Sequence, residues 1–237
     1  MPHLKDWNKK EPLWKEWDEK AQKAGVRHTV YSVNKDEYTG EWHDNKKDGK
    51  GTYKWKENGT IYDGDWKAGK RCGFGTYSIP KAGGGFIKQY SGGWKNDKRH
   101  GFGTQFYTDE EYYEGEWYAD KRSGWGRMYY ADGSIYEGEW YDDQRNGQGM
   151  LRLTNENRYE GCWKNDKKNG PGKFFYLDKG QLYEGVWVDD TPKCGEMKDF
   201  GREGAPDATE YPIPQVTLAD PKQVLADAEE QFLQDQD

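Results

Sequence analysis

The residues of this 237-residue chain that could do covalent or acid–base chemistry do not converge. His3, His28, His43 and His100 are scattered, and none pairs with a cysteine or carboxylate at ligand spacing. Cys72, Cys162 and Cys194 are odd in number and lack metal-ligand spacing, which fits reduced thiols in an intracellular protein. The chain has neither a Gly-Lys-Ser/Thr phosphate loop nor a Gly-x-Ser-x-Gly nucleophile elbow. Carboxylate pairs for acid–base work can be drawn from almost any stretch, so no pair stands out. The expectation is a protein that is not an enzyme, with no catalytic residues, no metal and no cofactor.

The chemistry that remains is non-covalent, carried by rings and cations. Aromatic residues make up 16% of the chain, with 12 Trp and 18 Tyr, while hydrophobic residues in all reach only 32%. Mean hydropathy is -1.32, which by itself would suggest disorder, but disordered chains lack this aromatic content. The net charge of -7 argues against a dedicated nucleic-acid binder, so no nucleic-acid partner is expected. No apolar run is long enough to cross a membrane, and the polar start Met1–Lys10 shows no secretory signal. A cytoplasmic protein is expected.

These rings recur. Tyr113-Glu114-Gly115-Glu116-Trp117 is followed, six residues on, by Gly124-Trp125-Gly126, and the same pattern starts at Tyr38, Tyr62, Tyr90, Tyr136, Tyr159 and Tyr183. The period is 23 to 24 residues with one step of 28, the mark of a repeat array. Tyr, Gly and Trp at alternate positions share one face of a strand. The second strand is expected to begin at the glycine pair after a six-residue link such as Lys95–His100. Turn signals at Asn58-Gly59, Asp132-Gly133, Asn155-Glu156-Asn157 and Lys179-Gly180 join one hairpin to the next. Glycines, lacking Cβ, open slots in which neighbouring rings can lie over backbone. The expected fold is all-β: a single-layer twisted antiparallel sheet of tandem hairpins, flanked by short N- and C-terminal helices.

Three regions follow. Residues 1–30 hold a helix from Pro12 to about Ala24, whose stripe Leu13, Trp14, Trp17, Ala21 and Ala24 either caps the first repeat or docks on a partner. Residues 31–200 hold six full units and a degenerate seventh, in which Pro192 lengthens the link and Met197 stands where the second glycine belongs. Gly83-Gly84-Gly85 marks a flexible insertion. Residues 201–237 form an extended tail through Tyr211-Pro212-Ile213-Pro214, then a helix starting at Asp220-Pro221.

Tyr-x-Gly-x-Trp followed by Gly-x-Gly, six times in register, resembles the MORN (membrane occupation and recognition nexus) repeat. The resemblance covers about Tyr38 to Gly195. It implies a hairpin ribbon used as an interaction platform. Family members occur in radial spokes and other ciliary structures, in sperm, and at membranes and cytoskeletal junctions, so a setting in cilia or flagella, or in the acrosome of germ cells, is implied.

A sheet without a second layer should leave part of its ring face open to a helix or extended peptide. Tyr113, Trp117, Trp125, Tyr129, Tyr136 and Trp140 are the candidate partner-binding residues of that groove. Basic pairs recur in the links, and Lys98, Arg99, Lys121 and Arg122 are the candidate edge for anionic phospholipid or an acidic partner. The function expected is thus a scaffold binding protein segments. The alternative is a peripheral membrane adaptor, and self-association into a homodimer through uncovered sheet edges is a further expectation.

Overall fold

The structure is a computed structural model that describes residues 12–201. Among the described residues the fold is all-β apart from one helix, α1 (Leu13–Lys20), with fifteen strands in hairpin repeats forming an open antiparallel sheet in chain order. The chain divides into two compact units, Met1–Lys98 and Arg99–Asp237.

In the first unit β1 (Gly25–Tyr31), β2 (Glu37–His43), β3 (Lys46–Lys54), β4 (Ile61–Lys67), β5 (Lys70–Pro80) and β6 (Phe86–Lys95) pair each with the next. In the second, the same holds for β7 (Lys98–Phe106, its first residue in unit one), β8 (Tyr112–Tyr118), β9 (Lys121–Tyr129) and β10 (Ile135–Tyr141). It continues through β11 (Gln144–Arg152), β12 (Arg158–Lys164), β13 (Lys167–Tyr176), β14 (Gln181–Val188) and β15 (Thr191–Asp199).

The expected six-residue link inside each hairpin is not a loop. Only two residues turn, and both take positive φ: Asp44-Asn45, Asn96-Asp97, Ala119-Asp120, Asp142-Asp143, Asn165-Asp166 and Asp189-Asp190, with Ala68-Gly69 in the second hairpin. This is the type I′ geometry whose twist matches that of paired strands, and Asn and Asp tolerate it better than most residues. The basic pairs therefore open the second strand of each hairpin and do not sit in a link. The register shifts between the slot glycine and the tryptophan in five hairpins, as at Gly115/Trp117, so these carry a bulge there, and in the last hairpin the shift falls at Val186/Trp187.

The turns between hairpins fall where expected, with Gly59, Gly133, Glu156 and Gly180 at positive φ. The Gly83–Gly85 insertion tips a lengthened hairpin, in which Pro80 pairs with Phe86 and Ile79 with Ile87. In the last unit Gly195, not the position of Met197, stands opposite Gly185, and a Cβ there would lie 2.7 Å from the Tyr183 hydroxyl. Asp189-Asp190 turns in two residues as elsewhere, so the bulge and not the link has changed length.

Helix α1 stops at Lys20, short of the expected Ala24, and Gln22 then takes φ 43. Its apolar stripe does not cap the first repeat, for Leu13, Trp14 and Trp17 are all exposed. The tether is polar. Asn45 Nδ2 donates to the Glu19 carbonyl, Asn45 Oδ1 accepts from the Lys23 N–H, and buried Lys23 places its ammonium 4.9 Å over the Trp42 ring. The tail around Tyr211–Pro214 and the helix expected at Asp220-Pro221 lie outside the described residues.

Candidate functional site

One face of each unit is a ladder of interlocked rings. Within a hairpin the first-strand tyrosine and tryptophan meet edge to face, as Tyr113–Trp117 (5.3 Å, 90°) and Tyr136–Trp140 (5.2 Å, 90°). Tyrosines also meet the tryptophan of the following hairpin: Tyr62–Trp94 at 5.4 Å in the first unit, Tyr113–Trp140, Tyr136–Trp163 and Tyr159–Trp187 at 5.3 Å in the second. Each such pair adds about 0.5–1.5 kcal/mol beyond its buried area.

The slot glycines make this packing possible. A Cβ on Gly126 would fall 2.2 Å from the Tyr113 hydroxyl and 2.5 Å from its ring. The ring lies against bare backbone, and its hydroxyl donates to the Glu116 carbonyl at 3.0 Å, a bond repeated by Tyr38, Tyr62, Tyr90, Tyr136 and Tyr159. Burial pushes the Tyr113 and Tyr136 phenols far above their ordinary range, so they stay neutral donors. Indole N–H groups reach back to the preceding slot glycine, Trp140 to the Gly126 carbonyl at 3.2 Å and Trp163 to Gly149 at 3.1 Å. Among the described residues only Trp42 and Trp187, in the first and last hairpins, have buried indole N–H groups without a partner.

Cations close the ladder. The Arg122 guanidinium lies 4.2 Å over the Trp140 ring, its Nε donates to Asp143 Oδ1 at 3.3 Å, and its Nη2 donates to the Asp143 carbonyl at 2.7 Å. Asp143 Oδ1 accepts the Arg122 N–H at 2.9 Å, and the Asp143 N–H donates to the Arg122 carbonyl at 3.1 Å. The same lock joins Arg71 to Asp97, Arg99 to Asp120 and Arg145 to Asp166. Successive turns are thus stitched by one residue pair, a role the sequence reading missed. The recurring Asp at the second turn position, each time a few residues after the tryptophan, was its visible signal.

The expected groove residues do not share one surface. Tyr113, Trp117, Tyr136 and Trp140 lie on the ring face and are buried, the two tyrosines at 0% exposure. Trp125 and Tyr129 alternate onto the opposite face, where Trp125 is half exposed and Tyr129 stacks on Tyr112 at 4.2 Å. Their pairing with Glu139 and Ile135 fixes that side. Of the expected basic edge, Arg99 and Arg122 turn inward to Trp117 and Trp140, at 4.1 and 4.2 Å. Lys121 faces outward and pairs with Asp142, and Lys98 is exposed.

The ring face of the second unit is open just past the ends of β7 and β9. Tyr107 and Tyr130, with Glu111, Arg122, Met128, Trp140 and Asp166, line a cavity of about 390 Å³. Tyr107 is 48% exposed. Burial raises both phenols, against the opposing pull of nearby arginines, Arg122 among them. Among the described residues the Glu111 carboxylate has no ion-pair partner, and no cluster of His, Cys, Asp or Glu could hold a metal.

Ring ladder, slot glycines and turn locks together define a tandem β-hairpin repeat protein. The MORN repeat model matches residues 38–60, 62–81, 90–111, 113–135, 136–158 and 159–180, and the chain belongs to that family. Its relatives include MORN repeat-containing protein 3 of Xenopus laevis, 63% identical and covering 97% of both chains. The proteins of that name from Mus musculus and Homo sapiens are 66% and 69% identical, each over 96% of this chain and 95% of the relative. Among solved structures, a streptogramin B lyase covers 76% of this chain and 70% of its own at 10% identity and a TM-score of 0.17, too slight a likeness to bear on fold or activity.

Proposed function

We propose that this chain is a non-enzymatic scaffold that holds a helical or extended segment of another protein on its ring face. The observation that carries the reading is the cavity bounded by Tyr107, Tyr130 and Glu111. Tyr113, Trp117, Tyr136 and Trp140 are buried against their neighbours, whereas Tyr107 is exposed and Tyr130 half-buried at this cavity. Aromatic walls with a few polar groups suit a partner's apolar or amphipathic side chains. The ciliary, flagellar or germ-cell setting implied by the family belongs to this proposal.

The test is affinity capture from ciliated or germ-line cell extract with the full chain and the variant Tyr107→Ser/Tyr130→Ser, folding being checked by near-UV circular dichroism. A partner set lost in the folded variant supports the groove, and a set that is unaffected overturns it. Trp117→Ala cannot serve, because it deletes a buried indole bonded to the Gly103 carbonyl. The lipid alternative has less to draw on, since the forks of Arg99 and Arg122 are engaged by Asp120 and Asp143.

A further inference from the structure

The face opposite the ring ladder has a feature that the repeat does not require. On strands β7 to β10 of the second unit, Phe102, Trp125, Tyr118 and Tyr141 are 64%, 50%, 66% and 68% exposed. The repeats supply their own control. Positions equivalent to Phe102 and Trp125 elsewhere hold Lys50, Phe74, Gln148 and Pro171, and those equivalent to Tyr118 and Tyr141 hold His43, Lys67, Lys95, Lys164 and Val188, so several repeats lack a ring at each place. The fold is therefore indifferent to a ring at either position.

Pairing sets these residues in a row across the strands. Phe102 faces Glu116 across β7 and β8, the Glu116 carboxylate accepts the Trp125 N–H at 3.4 Å, and Trp125 faces Glu139 across β9 and β10. The row thus alternates ring, carboxylate, ring, carboxylate in steps of about 4.8 Å. Glu139 likewise accepts the Gln148 N–H through one oxygen. Among the described residues Glu114, Glu116 and Glu139 form no ion pair. Two cations on this side are already taken, Arg127 by Glu137 at 2.8 Å and Lys121 by Asp142.

The geometry points to a second docking surface here, on the side away from the ring-face groove, for an extended arginine- or lysine-bearing segment of a partner protein. Guanidinium groups would stack on Phe102 and Trp125 while the intervening carboxylates accept their N–H donors. The row spans about 14 Å, which an extended segment of roughly four to five residues covers. A second copy of this chain is a poorer occupant, because symmetric pairing of a -7 chain would set unpaired carboxylates against their own kind.

The experiment follows fluorescence anisotropy of a labelled decamer of alternating arginine and glycine titrated with the full chain. An alternating glutamate–glycine decamer is the comparison. Expected are binding of the arginine peptide alone, a tenfold or greater loss in Phe102→Ser/Trp125→Ser, and a comparable loss in Glu116→Gln/Glu139→Gln. The glutamines keep the amide oxygen that accepts the backbone N–H, so this second variant carries the test if the first fails to fold. Glu160→Gln/Glu184→Gln removes equal charge from the same sheet and should cost less than threefold. Tyr107→Ser/Tyr130→Ser should leave the affinity unchanged, which separates this surface from the proposed groove. Equal losses in the two glutamine variants, or full affinity in Phe102→Ser/Trp125→Ser, would overturn the proposal. So would sedimentation showing a dimer that Phe102→Ser/Trp125→Ser abolishes, because a second copy would then cover the face.

Discussion

The Arg122 guanidinium sits 4.2 Å above the Trp140 ring and donates at the same time to the Asp143 carbonyl at 2.7 Å. One side chain thereby covers the ring of the following hairpin and locks that hairpin's turn. Arg122→Lys keeps the charge but loses the planar fork and is expected to lower unfolding free energy by about 1 kcal/mol; Arg122→Ala should cost about 2 kcal/mol. Urea denaturation of the two variants checks this. In a double-mutant cycle with Asp143→Ala the effects should be strongly non-additive, and simple additivity would deny the lock.

The slot glycines and the turn glycines should respond differently to a methyl group. Gly126→Ala drives a Cβ into the buried Tyr113 ring, and about 3 kcal/mol or more should be lost. Gly69 has φ +87 but open space around it, so Gly69→Ala carries backbone strain alone, about 1 kcal/mol. Comparing the two denaturation midpoints decides whether ring seating or turn geometry is the tighter constraint.

Tyr113→Phe keeps the ring and removes only the donor to the Glu116 carbonyl. A loss of about 1 kcal/mol is expected, far less than for the glycine beneath it. A cost as large as that of Gly126→Ala would mean that the hydroxyl, and not the packing, organises the hairpin.

Lys47 occupies the position of the arginine, but the next turn, Ala68-Gly69, offers no carboxylate. Burial against Tyr53 and Trp66, 4.0 and 4.1 Å away, pushes its pKa down to about 8. The unfolded value is about 10.4. Between those pH values the unfolded chain holds the proton and the folded one does not, so stability rises with pH across that window. The difference between wild type and Lys47→Met, followed by urea midpoint from pH 7.5 to 10, should show this rise. A flat difference would indicate that the ring faces hold the ammonium charged.

Much of this was readable from spacing. The Tyr-x-Gly-x-Trp alternation places Tyr113, Gly115 and Trp117 on one face because side chains in a strand alternate strictly, and a missing Cβ at fixed intervals announces a ring above it. Trp125 was misplaced by its company: it stands between two glycines of the ring face, and one residue of register moves a side chain to the other side of the sheet. The turn was misjudged because Asn and Asp can take positive φ where glycine was the expected signal, so strands ran on through residues that looked like a link.

Local periodicity alone determined that the chain is a hairpin array and that the rings of each Tyr-x-Gly-x-Trp stretch share one face. Which side chains are already taken was decided by tertiary structure. Arg122 and Asp143 lie a whole repeat apart, and only the pairing of β8 to β11 brings one turn against the next. The same cross-strand register leaves Tyr107 and Tyr130 open on one side and Phe102 and Trp125 open on the other. Exposure depends on neighbours supplied by other strands, and distance along the chain carries no record of them.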